Sequence, residues 1–201
     1  MKLHDAFGDI DIYLFDQLLK GRIRTGDRIL DAGCGSGRNL IYLLRQGFDI
    51  SAVDPNPYAV DEVRELASRL APSLEPARFR QEPVEAMSFS DAAFSVVISS
   101  AVLHFARDDA HFEAMVRGLW RVLGGGGMLF ARLATTIGIA DRVRPLGDNR
   151  FALPDGSERY LTSESALMHW TAALGGQLLE PLKTTLVQDQ RAMTTWIVRK
   201  A

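Results

Sequence analysis

Ile29-Leu-Asp-Ala-Gly-Cys-Gly-Ser-Gly-Arg-Asn39 is a short apolar strand that runs into a turn with glycine at positions 33, 35 and 37, then into a helix-forming stretch. Glycine at every second position lets a chain turn sharply at positive φ, and it lets a ligand approach the backbone with no Cβ in the way. The stretch reads as a nucleotide-cofactor loop at the carboxyl end of a parallel strand.

The flanks carry the same rhythm. Before the loop, Ile10, Ile12, Leu14, Phe15, Leu18 and Leu19 fall mostly at helical spacing, with Gly21 as a stop. After it, Leu40, Ile41, Leu43 and Leu44 make the buried stripe of a helix ended by Gly47, and 49–53 is a strand ending at Asp54. Asn56-Pro57 opens a helix that reaches Leu70, which completes a βαβα unit of parallel type. The second half predicts strands at 78–81, 94–100 and 128–133, a helix over 108–123 and a break at the glycines 124–127. Val96-Val97-Ile98 lacks polar alternation, as expected of a parallel strand covered on both faces. From 135 to 160 periodicity fails, and the stretch reads as an irregular substrate-side insertion. A helix over 163–174 and strands at 178–187 and 193–199 close the chain.

Composition bounds the class. The chain has 201 residues, 47% hydrophobic and 24% charged, with a formal net charge of -2, so it reads as one globular domain over 1–201 with no bias toward polyanions. Nucleic acid is therefore disfavoured as a partner. No signal core and no run of about 18 apolar residues is found, which points to the cytoplasm and away from a membrane. Cys34 is the sole cysteine, so neither an intrachain disulfide nor a cysteine-based zinc site can form, and no metal is expected.

Leu30-Asp-Ala-Gly-Cys-Gly-Ser-Gly37, Asp54, Phe94-Ser-Val-Val-Ile-Ser-Ser100 with Val102-Leu-His104, and Leu123-Gly-Gly-Gly-Gly-Met-Leu129 resemble the ordered motifs of class I S-adenosylmethionine-dependent methyltransferases. Gly37-Arg-Asn39 with Tyr42-Leu43, 52–57 and Trp196-Ile-Val-Arg-Lys200 are further similar to tellurite-resistance-type small-molecule methyltransferases. The resemblance implies a Rossmann-like three-layer α/β sandwich with a seven-stranded sheet in the order 3-2-1-4-5-7-6, only strand 7 antiparallel. It also implies S-adenosylmethionine over the carboxyl ends of strands 1, 2 and 4, leaving as S-adenosylhomocysteine. The contact set so implied includes Gly33, Cys34, Gly35, Gly37, Asn39, Pro55, Asn56, Ser99 and Ser100.

The cofactor's chemistry suits the acids present. A carboxylate at the end of the second strand, Asp54, can accept two hydrogen bonds from a ribose diol; the bland alternative is a helix N-cap. Asp31 can face the amino group, directly or through water, or only satisfy loop N–H groups. Aligning Met87-Ser-Phe89 with the family's usual Leu-Pro-Phe puts Pro83 where an acid commonly meets adenine, leaving Glu82 to replace it and Val84 to offer a backbone N–H.

Methyl transfer is a direct displacement that needs alignment more than acid–base help. A neutral acceptor would want a base. His104, just past the fourth strand, is the best-placed candidate, with a loop-fixing role as its alternative. Tyr13 and Tyr160 are candidates to roof the pocket. Arg132, Arg144 and Arg159, with Arg142 and Arg150, suggest attraction of a small anionic acceptor, against the alternative of solvated surface charge. The His-Arg pair of the tellurite-resistance enzymes has no counterpart in 184–190, where only Lys183 and Arg191 flank. Two other readings are carried: a non-catalytic S-adenosylmethionine-binding module, and a nicotinamide-dependent oxidoreductase. Arg38 counts against the latter, since it stands where the third glycine of a dinucleotide fingerprint belongs. The acceptor's identity and the choice between monomer and homodimer stay open.

Overall fold

A computed structural model of the chain describes residues 3–201. Helices α1 (Leu3–Phe7) and α2 (Ile12–Leu19) precede β1 (Arg28–Ala32), α3 (Ile41–Arg45), β2 (Asp49–Val53) and α4 (Pro57–Leu70). Then come β3 (Phe79–Arg80), β4 (Phe94–Ser100), α5 (Asp109–Val122) and β5 (Leu123–Ala134). A small unit of β6 (Arg144–Gly147), β7 (Arg150–Ala152) and β8 (Glu158–Tyr160) leads to α6 (Glu164–Ala173), β9 (Gly176–Leu178), β10 (Lys183–Val187) and β11 (Arg191–Lys200).

The main sheet runs β3-β2-β1-β4-β5-β11-β10, with β9 also paired to β11. The pairs among β1 to β5 are parallel, while β11 is antiparallel to β5, β9 and β10. This is the expected order, with one adjustment. The single strand predicted over 178–187 is two, because β9 lies against the end of β11 and β10 against its start. Pro181, between them, has no N–H to donate to a ladder.

Odd and even residues of the central strands feed opposite cores. Leu30, Val97, Leu129 and Trp196 pack with Phe112, Val116 and Leu119 of α5 on one face. Ile29, Val96, Ile98 and Phe130 pack with Leu14, Leu43, Val60 and Val63 on the other. Two-sided burial is thus the reason the strand at 94–100 reads as one apolar run. Caps fix the helix starts on the site side: Asp11, Asn56, Asp108 and Ser163 each accept a backbone N–H within the first turn.

α5 ends at Val122, and the glycines at 124–127 follow it, as expected. They are counted in β5 but form an irregularity in its ladder: Leu123 pairs with Phe94 and Met128 with Val96, and Gly126 sits at φ 74° between them. Nζ of Lys200 caps the end of α5, donating to the carbonyls of Trp120 and Leu123 at 2.6 and 2.7 Å. The segment 135–160 is not irregular throughout. β6, β7 and β8 form an antiparallel meander over Leu153, Leu161 and Ala134, turning at Asp148 and Asn149, both at positive φ. Strands of three or four residues are too short for periodicity to reveal. Among the described residues no helix is long and apolar enough to cross a membrane.

Candidate functional site

A cavity of about 610 Å³ opens at the carboxyl ends of β1, β2 and β4. Gly33, Cys34, Gly35, Asn39, Asp54, Pro55, Val84 and Ser100 of the expected contact set line it, and Gly37 does not. The three loop glycines share positive φ but serve different ends. A Cβ on Gly33 would lie 2.4 Å from Val102, and one on Gly37 would press on Val63 and Leu66 of α4. Of the three, Gly35 alone has open space where a Cβ would stand, so a ligand can approach its backbone without displacing protein atoms.

Asp54 sits beside that opening. One carboxylate oxygen accepts the Gly35 N–H and the other the Asn56 N–H, both at 2.9 Å. Each oxygen has a second acceptor site, so a rigidly held pair of lone pairs remains for a diol. These acceptors fit the hydroxyls of a ribose. Asn56 itself caps α4 through its side chain and does not line the cavity.

Asp31 is enclosed beneath the loop, outside the lining, with Oδ2 unpartnered. Burial raises its pKa to about 7, Arg38 pulls it down and Asp54 pushes it up. An orphaned acid under the loop suits a cationic group arriving above it, directly or through water. Burial pushes the Cys34 thiol up as well, so it is inert filler.

At the far end, Pro83, Val84, Glu85, His111 and Met115 line the cavity together. His111 accepts the Arg107 N–H at Nδ1 (3.1 Å) and donates from Nε2 to Glu85 (3.0 Å). Glu82 lies outside the lining, both its oxygens engaged with the N–H and hydroxyl of Ser88. At this end the acid that borders the cavity is Glu85. Ser99 is also outside, fully buried with an unpartnered hydroxyl.

The link missed in the sequence is Asp11. Its Oδ2 accepts from Ser100 Oγ at 3.2 Å and from Arg132 Nη1 at 3.1 Å, its Oδ1 caps α2, and its N–H donates to Asn39. Arg38 joins by donating to Ser100 Oγ at 3.0 Å. Aspartate before an apolar helical stripe is a capping signal, but nothing in the sequence says its second oxygen reaches β4 and β5.

A second cavity of about 250 Å³ adjoins the first at Ala101, a non-glycine residue at φ 65° that lines both. His104, Arg132, Arg159 and Arg191 line it. His104 accepts the Ala134 N–H at Nδ1 (3.2 Å), and burial with Arg159 and Arg191 lowers its pKa to about 4. With Nδ1 taken, His104 is not placed to act as a base. Its remaining nitrogen, Nε2, carries the proton and is a donor.

Of the other acceptor-side candidates, Tyr13 lies outside both cavities, bonded to Thr185 Oγ1 at 2.8 Å with Arg132 over its ring. Tyr160 is core: it stacks on Phe112 and donates to Asp109 at 2.8 Å. Arg144 is exposed on β6, away from both cavities. Short strands carry it outward, which the sequence could not indicate.

Sheet order, glycine loop and the carboxylate at the end of β2 define the class I methyltransferase fold. More particularly, residues 29–127 match the family model described as a methyltransferase domain, which with the sheet order supports a class I S-adenosylmethionine-dependent methyltransferase. Over 106 residues the chain is 36% identical to a ubiquinone biosynthesis O-methyltransferase of Methylocella silvestris, 53% of this chain and 39% of that protein. The chain therefore spans about two fifths of that relative's length. Its fold is similar to an S-adenosylmethionine-dependent methyltransferase of Methanosarcina mazei, with TM-score 0.69 and 19% identity over 91% of this chain and 96% of that one. It is similar also to 1,6-didemethyltoxoflavin-N1-methyltransferase of Burkholderia thailandensis, solved with 1,6-didemethyltoxoflavin and S-adenosylhomocysteine bound (TM-score 0.69, 21% identity, 94% of this chain and 76% of that one).

Proposed function

We propose that the chain is an S-adenosylmethionine-dependent methyltransferase for a small molecule, with the donor in the 610 Å³ cavity. One observation carries this: the Asp54 carboxylate, locked to the Gly35 and Asn56 amides, presents free lone pairs beside a cavity-lining glycine with open space at its Cβ position. Bound there, S-adenosylmethionine supplies an electrophilic methyl group on a sulfonium. Asp54 holds the ribose, Asp31 compensates the amino group, and Val84 and Glu85 border the adenine end. Asp11, Arg38 and Ser100 brace the junction between the donor cavity and the smaller one. Orientation of this kind is worth about 7–11 kcal/mol of barrier, so no base is required of His104.

Titration calorimetry with S-adenosylmethionine, S-adenosylhomocysteine and NAD tests the reading. Micromolar binding of the first two, abolished in Asp54→Ala, is the expected result. NAD binding without them would overturn it. Binding without turnover across thiols, amines, hydroxyls and carboxylates would favour a non-catalytic binding module.

A further inference from the structure

The smaller cavity has a composition of its own. Apolar Leu153, Val187 and Met193 line one part, while Arg159, Arg191 and His104 present donors. Arg132 is neutralised by Asp11 at 3.1 Å, although its Nε is buried without a partner. Arg159 donates only to the Glu158 carbonyl and lies 5.0 Å above the ring of Phe105, which lines the donor cavity. Among the described residues no carboxylate pairs with Arg159 or Arg191 within ion-pair distance, and no group bonds His104 at Nε2. Asp155 is the opposing charge in the lining, its Oδ1 held by the N–H and hydroxyl of Ser157 at 3.0 and 2.6 Å. Two unpaired guanidiniums against one carboxylate leave a positive excess above a low-dielectric floor, and such a concavity concentrates anions.

We propose that this cavity binds the oxyanion of a small organic acid, held by Arg159, Arg191 and the Nε2–H of His104, and that this acid is the methyl acceptor: a lone pair on one of its nucleophilic atoms bonds the methyl carbon as the carbon–sulfur bond of the sulfonium breaks, and that bond's electron pair leaves on the sulfur of S-adenosylhomocysteine. The proposal rests on the donor assignment above. Guanidinium forks match carboxylate and phosphate geometry, and the neutral imidazole adds a fixed donor where a charged one would be desolvated. Leu153, Val187 and Met193 accommodate an apolar body, and the volume, below the usual range of drug-sized sites, restricts the acceptor to a small one. The shared wall at Ala101 places the two ligands side by side.

The test uses the full chain at pH 7.5, titrated with acetate, benzoate, inorganic phosphate and phenyl phosphate, with and without S-adenosylhomocysteine. At least one of these anions should bind with a millimolar or tighter Kd. Arg191→Gln, on an exposed side chain, and Arg159→Gln should each weaken it tenfold or more and leave S-adenosylhomocysteine affinity within twofold. The carboxylate and phosphate arms say which oxyanion is preferred. Failure of all four anions to bind, or binding insensitive to both substitutions, overturns the proposal while S-adenosylhomocysteine binding keeps the donor assignment. Loss of S-adenosylhomocysteine binding in the unsubstituted chain overturns the donor assignment itself, and with it the acceptor role.

Discussion

The backbone N–H of Ala134 donates to Nδ1 of His104 across 3.2 Å, joining the loop after β4 to the end of β5. That bond fixes the imidazole as the Nε2–H tautomer and makes it a structural and donor group rather than a proton acceptor.

A pH dependence follows. The folded pKa of His104 is lowered from 6.5 to about 4, so the unfolded chain takes up a proton that the folded chain refuses. Its stabilising effect is present above pH 6.5 and is lost as pH falls toward 4. Between pH 7 and pH 5 the loss amounts to about 2 kcal/mol. Urea denaturation at both values should show that increment in the parent and not in His104→Gln.

Asp31 has the opposite sign. Its folded pKa is raised from 3.8 to about 7, so the folded chain keeps a proton that the unfolded chain releases, and stability falls as pH climbs through that interval. At pH 8 the cost is up to about 4 kcal/mol. Asp31→Asn should raise Tm at pH 8 while weakening S-adenosylmethionine. In the parent, affinity should rise about tenfold from pH 6 to pH 8, as the acid ionises to meet a cation; a flat profile would remove Asp31 from that role.

Gly33 and Gly35 separate stability from binding. A methyl at Gly33 meets Val102 at 2.4 Å, on a backbone at φ 81°, so Gly33→Ala should cost about 3 kcal/mol. Gly35→Ala meets no protein atom and should cost only about 1–2 kcal/mol, while reducing cofactor affinity at least tenfold. Equal losses of affinity at matched stability would contradict the assignment of Gly35 as the point of approach.

The carboxylate of Asp11 is fully enclosed, and its partners Arg132 and Ser100 belong to different strands. Asp11→Ala strands a guanidinium in a half-buried setting and should cost about 3 kcal/mol. Asp11→Ala with Arg132→Met should lose less than Asp11→Ala alone, because the unpaired charge goes too. Thermal denaturation of the four-member cycle measures the coupling.

Chain-local chemistry decided most of the donor half. The strand-loop-helix at 29–44, the acid after β2 and the proline-opened α4 depend on residues that lie close in sequence, so local pattern pointed to the glycine loop and to Asp54 as candidates. The parallel core was legible in Val96-Val97-Ile98 because burial on two faces leaves a compositional mark. Even there, sequence could not divide the work of the glycines, since the side chains that crowd Gly33 and Gly37 come from beyond β4 and from α4.

The acceptor half was decided by tertiary structure. Arginines at 132, 144, 159 and 191 look alike in sequence, but short strands turn Arg144 to solvent and gather Arg159 and Arg191 around His104. Asp11 joins Arg132 across 121 positions, and Tyr160 is drawn into the core by Phe112 and Asp109. Such contacts depend on how separate elements stack, which no local pattern encodes. The sequence by itself determined the alternation of strand and helix and the glycine loop, because both follow from periodicity and glycine stereochemistry, while the sheet order came from the family resemblance. Only the tertiary structure decided which charges share a cavity, because that depends on where distant strands end in space.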